Sequence, residues 1–138
     1  MVNYYETDRM GIVHHSNYIR FMEEARIAWM IEVGCPYHWV ESLGIMIPVT
    51  HVEFQYKKGL AYGQTMVIDV QMEEYNGVRL EMGYTVRCKE TGEECGTGKS
   101  GHCFVNSDFH PVSAKRACPA VHEILEKTKK EKENDQKV

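Results

Sequence analysis

The chain has 138 residues, 43% hydrophobic and 26% charged, with a net charge of -4 at pH 7. A single domain of this size buries roughly 70% of its unfolded surface, so it needs no disulfide or metal staple. The weak acidity excludes general attraction to nucleic acid, and any anionic ligand needs a local basic patch. The longest apolar runs fall far short of a membrane span.

Cysteine usage points the same way. Cys35, Cys88, Cys95, Cys103 and Cys118 are odd in number and form no C-x-x-C. With no signal peptide to read, reduced thiols in a cytoplasmic protein are the expectation. Each thiol reads as a small buried hydrophobe. Cys88 and Cys95 flank one hairpin and can pair in space, but no motif gives them a catalytic role.

In chain order, Val2 to Tyr5 is a brief β-prone stretch that Gly11 interrupts. Ser16 suits an N-cap, and Asn17 to Val33 has helical periodicity. Tyr18, Phe21, Met22, Ala25, Ala28, Trp29 and Val33 form one face. Ile19, Ile27, Met30 and Ile31 widen it until burial on several sides is expected. Gly34 and Pro36 end that helix. A short helical connector follows, from Pro36 to Leu43.

From there the period changes to two. Ile47–Lys57, Thr65–Glu73, Val78–Cys88 and Cys95–Val105 read as strands. Asn76-Gly77 and Thr91-Gly92 supply hairpin turns. Gly96, Gly98 and Gly101 in the last strand mark a bend or a close approach of backbone. A short helix is expected over Ala120–Lys129, with the charged remainder frayed. The sum is α+β: one run of antiparallel strands curled round one long helix. Open edges and faces of such a sheet favour homo-oligomers.

The polar density lies just before the long helix. Asp8 stands three residues before Gly11, and His14, His15 and Ser16 lead into the helix. Asp8 reads either as a turn aspartate or as a catalytic carboxylate. The second reading gains from its company, because free N–H groups at a helix start attract developing negative charge. A carboxylate facing such an end pairs an attacking or water-activating group with an oxyanion holder. His14 and His15 with Asp8 lack further metal ligands at standard spacing, so no metal is expected. A G-x-S-x-G elbow, a P-loop and a dinucleotide fingerprint are all absent. His51, His102, His110 and His122 read as surface or edge positions.

Tyr5-Glu6-Thr7-Asp8, Gly11-Ile12-Val13, His15, Asn17-Tyr18 and Glu23 together resemble the opening signature of the 4-hydroxybenzoyl-CoA thioesterase family. The likeness is strongest to its Tol–Pal-associated acyl-CoA thioesterase branch, and Tyr62-Gly63 and Phe104-Val105 extend it. The resemblance implies a hotdog fold, with a five-stranded antiparallel sheet round one central helix over residues 1–126 and a charged tail over 127–138. It implies hydrolysis of an acyl-CoA thioester with no cofactor, coenzyme A being part of the substrate. Homodimers with a joint sheet, paired into homotetramers, are implied as well, without nucleic acid or membrane insertion.

The same resemblance assigns catalysis to Asp8 and to His15, whose backbone N–H polarises the thioester carbonyl. Gly11, Val13, His14, Tyr18 and Glu23 would contact the substrate. Two departures matter: His14 replaces a common aromatic residue, and Gln64 replaces an acid after Tyr62-Gly63. A module that binds acyl-CoA or an acyl carrier without turnover is the alternative. Hydration of acyl thioesters lacks its usual histidine-plus-acid motif.

Overall fold

A computed structural model describes residues 15–58 and 63–136, with side-chain surroundings given for 17–58 and 63–131. The first expected strand, at 2–5, and Tyr62 lie outside the described residues. The elements in order are α1 (His15–Val33), α2 (Tyr37–Ser42), β1 (Val49–Tyr56), β2 (Met66–Tyr75), β3 (Arg79–Cys88), β4 (Glu94–Cys103), α3 (Ala114–Ala117) and α4 (Pro119–Gln136).

α1 includes His15, so Ser16 lies inside the first turn rather than at the cap. Its C-terminus closes as the sequence suggests. Gly34 adopts φ +101°, the Cys35 amide donates to Met30 O at 2.8 Å, and the Gly34 amide donates to Ile31 O at 3.2 Å. This is a Schellman end, and the buried Cys35 and Met30 supply its apolar contact.

The four described strands form one antiparallel sheet in the order β1-β4-β3-β2. In the β2–β3 turn, Asn76 Oδ1 accepts the Val78 and Arg79 amides at 3.0 and 2.7 Å. The β3–β4 register shifts after Val86, which leaves Cys95 as an extra residue in β4. Alternation in β3 turns Leu80, Met82, Tyr84, Val86 and Cys88 into the core. α1 lies against that inner face so closely at Gly98 that an added Cβ would collide with Met22 Sδ.

Three expectations need correction. First, α1 is not covered on several sides: Ile19, Ile27 and Ile31 are 49%, 39% and 61% exposed. A single sheet covers one side of a helix, and these residues follow an i, i+4 row on another. Second, His102 is not a surface residue but is 1% exposed, because its register pairs it with buried Leu80 and strand alternation puts it beside Ser100 on the inner face. Third, the short C-terminal helix is a long one. α4 has 18 residues, against 19 for α1. Val121 and Leu125 bury one face of α4 beside Tyr75 and Phe104. Tyr75 Oη bonds His122 Nδ1 at 2.6 Å, and Lys129 Nζ donates to Tyr75 O at 3.0 Å. None of the described helices is long and apolar enough to cross a membrane.

Candidate active site at the start of the long helix

Tyr18 fixes the start of α1 to the sheet. It is completely buried and stacks on Phe54 of β1 with centroids 4.6 Å apart. Tyr56 and Phe21 meet its ring edge-on at 5.7 and 6.4 Å. Val86, Cys88 and Cys95 complete the cluster from the two central strands. Burying so large a ring one turn from the helix start is worth roughly 2–3 kcal/mol, so the helix end has a defined position. The first N–H groups of an α-helix have no intrahelical acceptor, and with the dipole they suit a developing oxyanion.

The predicted site residues fall into three groups. Asp8, Gly11, Val13 and His14 lie outside the described residues. His15 supplies the first described residue of α1, and its side-chain surroundings are not described. Tyr18 and Glu23 are described and are not brought together: Tyr18 points into the core, whereas Glu23 is exposed. Among the described residues no three His, Cys, Asp or Glu side chains could hold a metal ion.

Sequence reasoning missed a buried polar chain on the same inner face, further along the helix. Tyr84 Oη bonds Ser100 Oγ at 2.7 Å, and Ser100 Oγ bonds His102 Nε2 at 2.7 Å. His102 Nδ1 is buried without a hydrogen bond of normal geometry. Burial, with help from the Arg26 and His51 charges, lowers the imidazole pKa to about 4, against a small opposing pull from the Pro48 carbonyl. The available signal was the period of two, which puts Ser100 and His102 on the face of Tyr84's strand partners.

A groove of about 790 Å³ lies elsewhere, bordered by His51, Glu73, Arg79, Glu81 and Cys103. No residue of α1 borders it, and it mixes acids with bases, so the helix start remains the better candidate for thioester chemistry.

An antiparallel sheet with α1 against its inner face is consistent with a hotdog-type fold, and comparison with known proteins makes the class a thioesterase. The sequence profile of the thioesterase-like superfamily matches residues 2–128. The chain belongs to that superfamily. It is 38% identical over 130 residues to Bacillus subtilis YneP, named as a candidate acyl-CoA thioesterase, covering 94% of each chain. A DHNA-CoA thioesterase from Staphylococcus aureus superimposes with a TM-score of 0.91 at 30% identity, over 97% of this chain and 90% of that one. A hypothetical protein from Aquifex aeolicus does so with a TM-score of 0.81 at 31% identity, over 90% and 94%.

Proposed function

We propose that this enzyme hydrolyses an acyl-CoA thioester to a free acid and coenzyme A. The observation that carries the reading is α1, described from His15 directly after the Asp8 motif and anchored by buried Tyr18. The names of the B. subtilis and S. aureus relatives support a coenzyme A ester as substrate. The His15 N–H, at the helix end, polarises the carbonyl. Asp8 acts on the same carbon, as nucleophile or as general base for water. Gly11, Val13 and His14 border the thioester, and Tyr18 backs the acyl pocket. No metal or further cofactor takes part, and the five free cysteines suit a cytoplasmic setting.

The active unit is a homodimer, with pairs of dimers forming a tetramer. β1 is an edge of the described sheet, with Val49, Val52 and Tyr56 exposed by 49%, 39% and 38%. An edge of the described sheet that apolar invites a second β1, which would join two sheets into one. The Ile19–Ile27–Ile31 row offers apolar surface for the further pairing. Val52→Asp is expected to shift the chain toward monomer in sedimentation velocity, and an unchanged profile counts against β1 pairing.

Asp8→Asn tests the chemistry. It should lower kcat by at least about a hundredfold with the fold intact, since general-base catalysis is worth about 10²–10⁴. Turnover near wild type would sink the assignment. A panel of acyl-CoA esters, read with a thiol reagent, tests the reaction itself; binding without thiol release would favour a non-catalytic module.

A further inference from the structure

Two of the five thiols share the cluster beneath the first turns of α1. Cys88 ends β3, and Cys95 is the extra residue where the β3–β4 register shifts. Their exposures are 3% and 1%, and they share one cluster with Tyr18 and Val86. A single carbonyl joins them: Glu93 O accepts the Cys88 amide at 2.9 Å and the Cys95 thiol at 3.6 Å. The Cys88 backbone also lies close enough to the Cys95 sulfur to favour its thiolate. A shared acceptor and a shared cluster put the two side chains next to each other at the bulge.

The two thiols differ in access. Cys88 Sγ donates to Glu90 Oε2 at 3.3 Å, and Glu90 is exposed on the hairpin turn. Cys95 Sγ donates to the Glu93 carbonyl, and Cys95 is the less exposed of the two residues. Burial raises the pKa of the Cys95 thiol, and the Lys58 cation offsets part of that. Lys58 itself is ion-paired with Glu93 on the same hairpin. Cys35 and Cys118 belong to the other core cluster, and Cys103 ends β4 opposite Arg79, which leaves Cys88 and Cys95 as a pair.

We propose that Cys88 and Cys95 form a dithiol–disulfide site, with Cys88 meeting the oxidant and Cys95 resolving it. The co-reactant is a small-molecule disulfide. The Cys88 thiolate attacks one sulfur of that disulfide, whose S–S bond breaks. The sulfur released takes up the proton that Cys88 gave up. The Cys95 thiolate then attacks the Cys88 sulfur of the mixed disulfide and expels the second small thiol, which takes up the Cys95 proton. Two electrons pass to the small disulfide, and the protein loses two hydrogens. The new bond closes the β3–β4 hairpin at its bulge, under Tyr18. The inference is independent of the reaction assigned to Asp8.

The test uses the full folded chain, equilibrated with oxidised and reduced glutathione over a range of ratios, alkylated and digested with trypsin. Cleavage after Arg87, Lys89 and Lys99 separates Cys88-Lys89 from the 90–99 peptide, so the bridge appears as one joined product. The joined product should rise with the oxidised fraction and revert with dithiothreitol. Cys95→Ser should abolish it and trap glutathione on Cys88; Cys95→Ala repeats this measurement if the serine variant does not fold. Alkylation of both cysteines as free thiols at every ratio would overturn the proposal. So would a bridge that forms only after unfolding in urea. Glutathione trapped elsewhere than Cys88 would overturn the assigned order of attack.

Discussion

Acid should destabilise this protein through His102, and the size of the effect follows from burial. The folded-state pKa falls from 6.5 to about 4, chiefly because charging the imidazole beneath α1 costs solvation. The unfolded chain therefore binds an extra proton between those two values. The contribution is fully present above pH 6.5, is lost progressively as pH falls toward 4, and changes no further below that. Each unit is worth about 1.4 kcal/mol, so the whole window spans about 3 kcal/mol. Against a typical total of about 5–15 kcal/mol, that is a large share. Urea unfolding of wild type and His102→Gln from pH 7 to pH 4 measures it. The glutamine is neutral throughout and cancels the titration of every other group. The wild type should lose about 3 kcal/mol more than the variant over this range. Parallel pH slopes, or an imidazole NMR titration centred near 6.5, would refute the reasoning.

Two further predictions concern packing and the C-terminal helix. Gly98→Ala puts a methyl against Met22 Sδ and within 3.1 Å of Phe54 Cδ2, so it should cost about 1–3 kcal/mol in urea unfolding. Adding Met22→Ala removes the first obstacle, and the double variant should show coupling rather than a simple sum. Tyr75→Phe removes the 2.6 Å bond to His122 and should lower stability by about 1 kcal/mol. Hydrogen exchange should speed up along α4 in that variant; unchanged protection would mean that α4 is held without the Tyr75–His122 bond.

Much of the architecture can be read from local pattern. Asn17–Val33 has the period of a helix, Gly34 the conformation that ends one, and Val78–Cys88 an unbroken period of two. Those features depend on neighbours in the chain, and the structure has them within a residue or two. A resemblance to hotdog acyl-CoA thioesterases is legible as well, because the acid, glycine, histidine and Asn-Tyr spacing is local too; the 4-hydroxybenzoyl-CoA branch is finer than the superfamily match.

What the tertiary structure decided concerns residues far apart in sequence. The long helix at residue 15 needed a specific partner for Tyr18, and that partner is Phe54, on a strand whose place depends on sheet order. His102 reads as a surface histidine because the histidines are scattered along the chain. The period of two puts Ser100 on its face, but only the β3–β4 register brings Tyr84 to them and buries all three. The exposed isoleucine row on α1 and the bulge at Cys95 have the same origin. Periodicity states that a residue shares a face with others, but what covers that face is set by elements that meet only in the folded chain.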